Sequence, residues 1–457
     1  MKRIIPKVPK GTRDIGSHDI FLKQKLFDII TNVLETRGAE PMDTPIFELT
    51  NTFKQLYGEE SKLIYNLEDQ GGEQLSLRYD LTVPLARYIG SNGIRNFKRY
   101  QIGKVYRRES PSLHRYREFY QCDFDIIGGS TPLNLIVNDV EILDTTCIVF
   151  DKIFDFINKE FNQKFDYKIK FNDRRILADL LDHCNVSKEN FSTVCSSIDK
   201  LDKHEWEYVK DELLKVKNID PLVVAKIKSV IVNFNLDEKK NPLDVLQKLY
   251  DQKIIKKDTL DYVQNIFEYL DEFKILGKID FDISMVRGLD YYTGIIFEIV
   301  LDNDDPNLFT GSIGGGGRYD KMISKFVGQK KDIPSIGISF GIERIISICN
   351  SIKINKINRI KRQVYIASVG KKMLKEKVKL CRELWIAGIK ADYNTQNNAK
   401  IGNQLNYVFE NKIPLMIVIG ENEIEKNVVQ LKYIEKEEQI EYLRKDIADV
   451  IHKFITI

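Results

Sequence analysis

Two periodicities divide this chain into segments that favour helices and segments that favour strands. An apolar stripe at helical spacing predicts a helix over residues 20–36, with Ser17 or Asp19 as its N-terminal cap and Gly38 just beyond its end. The same spacing predicts helices over residues 82–89 and 132–161. Alternating or short apolar runs predict strands over residues 63–67, 75–79, 97–106, 119–127, 167–171, 279–283 and 295–300, with an extended segment at 40–47.

The order of these elements predicts a sheet domain that is interrupted and then resumed. Strand patterns vanish between about residues 173 and 257, where charge rises and helical runs such as 188–197 and 202–214 take over. Strands return at residue 279, and a helix is predicted over 341–349. This order indicates a helical insertion within one sheet domain.

A second, smaller domain is predicted after a linker. Residues 351–361 are polar and basic and have no apolar face. Beyond them, strands and helices alternate, which is typical of a small α/β domain. The predicted strands lie at 363–368, 390–393, 414–420 and 428–433, and the predicted helices at 372–387, 399–412 and 445–454. The domain boundaries that we predict are 1–172, 173–257 (insertion), 258–350, 351–362 (linker) and 363–457.

Composition narrows the class of protein. With 457 residues, 43% of them hydrophobic, the chain can form two or three domains with substantial cores. A net charge of +3 argues against a molecule that attracts nucleic acid over its whole surface. Six scattered cysteines without a C-x-x-C pair favour a reducing compartment, and five isolated histidines argue against a zinc enzyme. No apolar run is long enough to span a bilayer and none follows the basic start as in a signal peptide, so we expect a soluble, cytoplasmic protein with no membrane association.

Residues 285–294 are the stretch that is hardest to explain as structure alone. They connect two predicted strands, yet they hold Arg287, Asp290, Tyr291 and Tyr292 between glycines. A β-bulge with a tyrosine corner is one interpretation. The other is a pocket wall for a small ligand that carries both charge and a ring.

Residues 100–127 predict two strands joined by a charged loop. Alternation along the first strand would place Arg107 and Glu109 on the same side. On the returning strand four side chains share a face, namely Phe119, Gln121, Asp123 and Asp125. Arginine opposite a ring and carboxylates suits a nucleotide, although a salt-bridged hairpin surface is the alternative.

Three further segments combine a structural and a functional interpretation. Asp80 or Thr82 can cap the helix that follows, or Asp80 can receive an ammonium group. Residues 311–320 (GSIGGGGRYD) are glycine-rich without the ending of a P-loop, and predict either a flexible hairpin or backbone packed close to a ligand. Arg344 lies in the first turn of a predicted helix, against the helix dipole, which suggests an anionic or aromatic partner.

Together these stretches resemble the signatures of the histidyl-tRNA synthetases, a family of class II aminoacyl-tRNA synthetases. Residues 38–48 are similar to motif 1, 104–125 to motif 2, and 337–344 to motif 3, with Ser339 where that pattern often has glycine. Residues 287–294 and 316–320 are similar to the two histidine-specific signatures. The resemblance covers nearly the whole chain. The residues from Arg78 to Thr82 are most similar to those of eukaryotic cytosolic forms. The N-terminal helical extension of many animal members is not present in this sequence.

The resemblance implies both a fold and a reaction. The implied fold is α/β (α+β): a class II antiparallel-sheet catalytic domain with a helical insertion, followed by an α/β anticodon-binding domain. The implied activity is that of a histidine–tRNA ligase, which activates L-histidine with ATP to histidyl-adenylate and transfers histidine to the 3′ end of tRNA(His). Mg²⁺ as cofactor and a homodimer are implied as well.

The resemblance also implies roles for individual residues. The implied histidine-binding residues are Asp80, Leu81, Thr82, Arg107, Gln121, Asp125, Arg287, Tyr291 and Tyr292. The implied ATP-binding residues are Arg107, Glu109, Arg115, Phe119 and Arg344. Of these, Arg107, Gln121 and Arg287 are the implied catalytic residues, and the Mg²⁺ ligands stay unassigned.

More specifically, the resemblance gives the ammonium group of histidine to Asp80 and Thr82, and its ring to Tyr291 and Tyr292. It gives the α-phosphate to Arg107 and Arg287, and the outer phosphates to Arg115. Adenine is sandwiched by Phe119 and Arg344 and contacted by Glu109.

Two alternatives from other classes remain at this point. A catalytically inactive, regulatory relative of the synthetases would keep the sheet, but such relatives tend to lose the motif 2 charges, the Arg287 type of residue or the C-terminal domain. A general RNA-binding protein would not need Asp80, Gln121 and Asp125 together. The sequence retains all of these features and favours the enzyme.

Overall fold

The computed structural model describes residues 6–51, 58–69, 71–112, 115–202, 204–235, 241–286, 291–303, 311–327, 332–351, 362–396 and 400–455. The chain divides into two compact units, Met1–Asn355 and Lys356–Ile457.

An eight-stranded sheet forms the centre of the first unit, with strand order β1-β4-β5-β10-β9-β8-β6-β7. The strands are β1 (Glu40–Pro41), β4 (Phe97–Tyr106), β5 (Glu118–Ile127), β6 (Asp166–Asp173), β7 (Ile279–Phe281), β8 (Ile295–Asp302), β9 (Ser312–Arg318) and β10 (Ser335–Phe340). Neighbouring strands are antiparallel except at the two edges, where β1 pairs with β4 and β7 with β6 in parallel. A separate antiparallel pair consists of β2 (Phe47–Leu49) and β3 (Leu75–Leu77).

One face of the large sheet is covered by helices. The 30-residue helix α3 (Pro132–Phe161) begins at a capping box made by Thr131 and Asn134. Its Phe150 packs against Phe340 of β10 and Tyr167 of β6, with ring centroids 5.8 and 5.4 Å apart. The other helices that flank the sheet are α1 (Ser17–Thr36), α2 (Thr82–Asn92), α10 (Lys321–Val327) and α11 (Ile342–Ser351).

A run of helices lies between two neighbouring strands of the sheet. The chain leaves the sheet at the end of β6 and returns at β7, which pairs with β6 in parallel. The helices between them are α4 (Arg174–His183), α5 (Phe191–Ile198), α6 (Trp206–Asp211), α7 (Pro221–Asn235), α8 (Pro242–Asp251) and α9 (Lys257–Glu272). In α9, the hydroxyl of Tyr262 donates to Asp139 of α3 at 2.7 Å. The insertion boundary at residue 257 stays a prediction.

Two local predictions in this unit are wrong. Helix α1 begins at Ser17, with Gly16 before it and no side-chain cap, so neither Ser17 nor Asp19 caps it. Gly38 does follow the helix with φ +73°, as predicted. Residues 63–67 are not a strand: a 3₁₀ helix ends at Leu63, and Asn66 forms only an isolated bridge with Ser76. Ile64 is buried and Leu63 partly buried in a cluster that includes Tyr79, whereas Leu67 is exposed.

The second unit is a five-stranded sheet with order β12-β11-β13-β14-β15 and apolar clusters of its own. Its strands are β11 (Val364–Ser368), β12 (Ala391–Tyr393), β13 (Leu415–Ile419), β14 (Val428–Tyr433) and β15 (Glu438–Leu443). Its helices are α12 (Leu374–Ile386), α13 (Ile401–Glu410), α14 (Glu421–Lys426) and α15 (Ile447–Ile455). Strand β15 was not predicted because its side chains are largely exposed and follow no apolar alternation. The predicted linker lies outside the described residues except at Ser351, which ends α11, and at Arg362, which forms an ion pair with Asp392.

Throughout the described part of the chain, no helix is both long and apolar enough to cross a membrane.

Candidate active site

One face of the sheet forms the floor of the site, and glycines leave parts of that face without side chains. Strand register places Gly337 of β10 between Asp125 and Gly317, and Ser339 between Asp123 and Gly315. A Cβ at Gly337 would lie 2.0 Å from Oδ1 of Asp125, so a larger residue cannot replace it without a shift. The glycine-rich segment is therefore a central strand with backbone close to the site, and the flexible-hairpin alternative is wrong.

Strand β5 carries an acidic row on this face. Gln121, Asp123 and Asp125 point to the same side because strand side chains alternate, as predicted. Asp123 and Asp125 are each only 3% exposed. Buried carboxylates in adjacent same-face positions need partners, which identifies this row as the polar centre of the site.

Asp125 has a partner for each oxygen. Its Oδ2 lies 2.8 Å from Nη2 of the fully buried Arg99, and its Oδ1 accepts a hydrogen bond of 2.5 Å from the hydroxyl of Tyr319. Burial raises the pKa of Asp125, and the Arg99 charge and the Tyr319 hydrogen bond oppose that rise. Sequence reasoning missed Arg99, because nothing in residues 97–106 separates one buried arginine from the other charges.

Asp123 is less completely paired. The Ser339 hydroxyl hydrogen-bonds to its carboxylate, yet Oδ1 has no hydrogen-bond partner among the described residues. Burial raises the pKa of Asp123 to about 7; the Arg99 charge lowers it, and the charges of Asp125 and Asp80 raise it further. Its neighbour Gln121 donates to Ser339 at 3.1 Å, and Oε1 of Gln121 is likewise buried without a partner in the described chain.

Asp80 joins strand β3 to helix α2. Its Oδ1 accepts hydrogen bonds from the backbone N–H groups of Thr82 and Val83, at 3.1 and 3.0 Å, so its side chain satisfies donors of the first turn, although the N-cap residue itself is Leu81, one position after Asp80. The ammonium contact of Asp80 stays a prediction. Its charge also raises the pKa of the two buried aspartates, so it lies close to the acidic row. Leu81 is fully buried and contributes its carbonyl oxygen, which accepts from Arg99.

Arg107 lies at the opposite end of β5, between two aromatic rings. Its guanidinium carbon is 4.3 Å from the Tyr79 ring centroid and 5.2 Å from that of Phe119, and its Nε donates to the Tyr79 carbonyl at 3.2 Å. Strand β4 ends at Tyr106, so the strand alternation predicted for residues 107–109 is wrong. Among the described residues this cation is held by rings and not by carboxylates, so its charge is available for an anion.

The hairpin loop beyond Arg107 carries a looser pair of charges. Arg115 is largely exposed, and its Nη1 lies 3.9 Å from Oε2 of Glu109. Arg117 anchors the base of the loop by donating to the Glu109 carbonyl at 3.0 Å. An exposed and weakly paired arginine can turn to a ligand at little cost.

Arg344 is in the first turn of α11, as predicted, and its partner is the start of β9. It donates to the Ser312 hydroxyl at 2.8 Å and to the Ser312 carbonyl. The neighbouring Glu343 is buried and forms an ion pair with Arg13. The carbonyl and hydroxyl oxygens of Ser312 therefore accept hydrogen bonds from the Arg344 cation, which the helix dipole disfavours.

Tyr291 and Tyr292 lie near the acidic row. Their ring centroids are 4.3 Å apart, and Tyr291 is 39% exposed. A Cβ at Gly317 would lie 2.9 Å from the Tyr292 ring. Burial raises the pKa of Tyr292, and the charges of Asp123 and Asp125 contribute to that rise.

The segment that carries these tyrosines is not a turn between paired strands. Strands β7 and β8 lie on opposite sides of β6, so the chain between them crosses over that strand. The bulge alternative falls partly on residues outside the described part of the chain and stays a prediction. Residues 287–290, including Arg287 and Asp290, lie outside the described residues.

In the second histidine-specific signature, residues 316–320, two neighbouring side chains have partners on opposite sides of the sheet. Tyr319 reaches Asp125, whereas Arg318 is buried and donates to Asp139 of α3 at 3.0 Å and to Asp320 at 3.1 Å. Arg318 therefore fixes β9 to the helical layer, and Tyr319 supports the site. The sequence alone did not separate these two roles.

No thiol chemistry or metal cage accompanies this site. All six cysteines are free and buried. Among the described residues, no group of three or more His, Cys, Asp or Glu side chains could hold a metal ion.

Comparison with known proteins agrees with this geometry. A family model described as histidyl-tRNA synthetase matches residues 11–345, and one described as an anticodon binding domain matches residues 363–454. A histidine–tRNA ligase named cytoplasmic from Dictyostelium discoideum is 40% identical, over 98% of this chain and 91% of its own length. One named mitochondrial from Bos taurus is 38% identical, over 98% and 88%. The solved histidyl-tRNA synthetase of Nostoc sp. PCC 7120 superimposes with a TM-score of 0.77 at 26% identity, covering 99% of this chain and all of that one.

The mixed α/β architecture, with its antiparallel catalytic sheet and its separate C-terminal domain, is that of an aminoacyl-tRNA synthetase. The chain belongs to the histidyl-tRNA synthetase family.

Proposed function

We propose that this chain is a histidine–tRNA ligase, which forms histidyl-adenylate from L-histidine and ATP and then transfers histidine to the 3′ end of tRNA(His). One observation carries the proposal. A glycine-floored strip along β5 has buried carboxylates at one end and, at the other, an arginine held between rings. Phe119 and Asp125 are six residues apart, which is about 20 Å along a strand. That length accommodates an amino acid and a nucleotide end to end.

The acidic end of the strip receives the amino acid. Asp125, held by Arg99 and Tyr319, faces the imidazole together with Tyr291 and Tyr292. Asp80, at the start of α2, meets the ammonium group with Thr82 and Gln121. A pocket built from fixed polar groups rejects a side chain that leaves them unpaired, which is how histidine is distinguished from isosteric apolar residues.

The arginine end receives ATP. Arg107 binds the α-phosphate and the substrate carboxylate, Arg115 turns to the outer phosphates, and Glu109 contacts adenine. Phe119 and Arg344 enclose the adenine ring from two sides. Support comes from the ring-held guanidinium of Arg107 and from the exposure and weak pairing of Arg115.

The chemistry then needs positioning and charge, not a side-chain nucleophile. A histidine carboxylate oxygen attacks the α-phosphorus, its new bond forms as the bond to pyrophosphate breaks, and the mixed anhydride results. A terminal hydroxyl of tRNA next attacks the acyl carbon and AMP leaves. Negative charge grows on the α-phosphate in the first step, and Arg107 with Arg287 stabilises it. Arg287, Arg107 and Gln121 are the residues that we propose act in catalysis.

Mg²⁺ would enter mainly on the ATP phosphates. The described side chains offer no preformed cluster for it, and Mg²⁺ prefers phosphate oxygens and water with one or two carboxylates. It would supply charge neutralisation on the outer phosphates.

The C-terminal unit is proposed to bind the anticodon region of tRNA(His), as the name of its matching family model suggests. We also propose domain limits of 1–172 and 258–350 for the catalytic domain, 173–257 for the insertion, 351–362 for the linker and 363–457 for the C-terminal domain.

A homodimer is proposed as well. The segment similar to motif 1 exposes Ile46 and Phe47, and Leu49 just beyond it is exposed too; they are 46%, 53% and 43% accessible, and a second copy would cover them. Cytoplasmic localisation is proposed from the Dictyostelium relative, and imaging a tagged chain in cells tests it against the mitochondrial name of the bovine relative.

Aminoacylation tests the whole reaction. Purified protein, ATP, Mg²⁺, labelled histidine and tRNA(His) should give acid-precipitable histidyl-tRNA, while a different tRNA should not be charged. Folded protein that charges no tRNA with histidine would refute the ligase and favour the inactive regulatory relative.

A further inference from the structure

Three buried acceptor atoms of the row make no hydrogen bond to a described residue, namely Oε1 of Gln121, Oδ1 of Asp123 and Oδ2 of Asp125, and of these Oδ2 of Asp125 has an ion pair, with Arg99 at 2.8 Å. The side chains of Gln121 and Asp123 project from the same face of β5, and both contact the Ser339 hydroxyl. Buried acceptors are almost always satisfied, so such a pair points to a donor that binds between them.

The other carboxylates of the pocket are already committed. Asp125 has Arg99 on one oxygen and Tyr319 on the other. Asp80 uses Oδ1 to accept from the first turn of helix α2, which leaves Oδ2 for a substrate. Asp123 therefore offers the buried carboxylate oxygen that is still available.

These atoms match the donors of one particular group. An ammonium group has three N–H donors and no acceptor. Oδ1 of Asp123 and Oε1 of Gln121 supply two acceptors on one face of β5, and the carboxylate of Asp80, whose charge acts on Asp123, supplies a third. We propose that Asp123 accepts a hydrogen bond from the α-ammonium group of the amino-acid substrate and so contributes to selection of that substrate. This assignment rests on the proposed ligase function.

Charge points to the same group. Within the described site, the buried carboxylates of Asp123 and Asp125 share the charge of one buried guanidinium, that of Arg99, and the negative charge of Asp80 acts on both of them. Carboxylates so poorly compensated are costly to bury until a cation arrives. The rise in the pKa of Asp123 to about 7 expresses this cost, and a bound ammonium group would lower that pKa and expel the proton.

The positions of Asp123 and Asp125 along β5 assign the two carboxylates to different groups of the substrate. Asp123 lies one same-face position closer than Asp125 to the arginine end of the strip. The ammonium group of histidine is likewise closer to the reacting carboxylate than the ring is. Ser339 acts as a positioning residue, because its hydroxyl holds the carboxylate of Asp123 and the amide of Gln121.

The test replaces Asp123 by asparagine, which keeps the shape and removes the charge. In histidine-dependent ATP–pyrophosphate exchange, Asp123→Asn should raise the KM for histidine by about tenfold or more and leave the KM for ATP unchanged. For the wild type, the KM for histidine should fall as pH rises through about 7, relative to the variant measured in parallel, because only the wild type must release a proton from Asp123. A variant with wild-type KM values at every pH would overturn the proposal.

Substrate analogues identify the group that Asp123 contacts. Histamine keeps the ammonium and the ring, whereas 3-(imidazol-4-yl)propionate keeps the ring and the carboxylate but has no ammonium. As competitive inhibitors of exchange, histamine should weaken about tenfold in Asp123→Asn, and the propionate should bind both proteins equally. Equal weakening of both inhibitors would contradict an ammonium contact.

Two further variants serve as a control and as a second test. Asp144→Asn makes the same chemical change in helix α3, where Asp144 pairs with Arg37, and should leave both KM values unchanged. If Asp123→Asn does not fold, Ser339→Ala should raise the KM for histidine several-fold without altering that for ATP, and an unchanged KM would overturn the proposal. Wild-type protein without exchange would instead refute the ligase function itself.

Discussion

Individual side chains in the acidic row differ in how completely they are satisfied. Asp125 is held on both oxygens, Asp80 accepts from the first turn of a helix, and Asp123 keeps a buried oxygen for a ligand. Satisfied groups fix geometry, whereas an unsatisfied group stores free energy that a substrate can recover on binding. The site is therefore both preorganised at Asp125 and incomplete at Asp123.

Removing the support of Asp125 tests its preorganisation. Tyr319→Phe deletes the hydroxyl that donates to Oδ1 of Asp125. We expect the KM for histidine to rise about three- to tenfold in pyrophosphate exchange, since a hydrogen bond to a charged group is lost, with the KM for ATP unchanged. Tyr250→Phe in α8 is the matched control. A larger effect on ATP than on histidine would show that Tyr319 serves another part of the site.

Asp123 should also lower stability in the absence of substrate. Burial raises its pKa in the folded state, so the folded chain binds a proton that the unfolded chain releases near pH 4, and stability falls as pH rises from about 4 to about 7. Asparagine carries no charge to bury. Asp123→Asn should therefore melt at a higher temperature than wild type, by a margin that grows from pH 4 to 7 and then levels off. A lower melting temperature at pH 8 would show that Asp123 stabilises the fold.

Arg107 is expected to depend on its planar shape as well as its charge. The guanidinium stacks between Tyr79 and Phe119, a geometry that an ammonium cannot reproduce. Arg107→Lys should lower kcat for exchange by about 10²-fold while the protein stays folded by circular dichroism. A loss under threefold would place the catalytic charge elsewhere.

Among the elements, strand β9 does the most to shape the site. Its glycines leave the sheet face without side chains, so that the Tyr292 ring lies only 2.9 Å from the place of a Cβ at Gly317. Glycines add no side-chain packing, so β9 is stabilised mainly by its pairing with both neighbouring strands.

Gly337→Ala tests how little room the floor leaves. The added Cβ would lie 2.0 Å from Asp125 Oδ1, so either the carboxylate or the strand must move. We expect a loss of about 1–3 kcal/mol in the free energy of unfolding in urea, with a loss of exchange activity. Gly277→Ala is the control, because nothing lies within 4 Å of its added Cβ. Equal stability of the two variants would contradict the tight floor.

The elements also show where sequence reasoning succeeds. Strands β4 and β14 and helix α3 have the bounds that apolar periodicity predicted, because each buries one regular face. Strand β15 was missed because its side chains are exposed, and residues 63–67 were misassigned because burial there comes from tertiary packing.

At the site, sequence reasoning found residues better than it found their partners. The resemblance predicted Arg107, Gln121 and Asp125 as site residues, but the pairing of Arg99 with Asp125 depends on strand register, which no local pattern specifies. Likewise, the partners of Arg318 and Tyr319, at the end of β9, depend on the side of the sheet to which each side chain points.

For the whole molecule, two compact units suggest two separable tasks. Each unit has its own sheet and its own buried apolar residues. A chain that lacks residues 363–457 should therefore retain histidine-dependent pyrophosphate exchange within about threefold, but should lose aminoacylation by 10²-fold or more, because tRNA(His) loses its proposed anticodon contacts. Unchanged aminoacylation would contradict the assignment of the C-terminal unit to tRNA.

The most direct test of the central claim is pyrophosphate exchange measured with each of the twenty amino acids in turn. The acidic row, the tyrosine pair and the ring-held arginine predict that histidine alone supports rapid exchange between ATP and pyrophosphate. Exchange that is driven equally well by another amino acid, or no exchange from folded protein with histidine, would contradict the account.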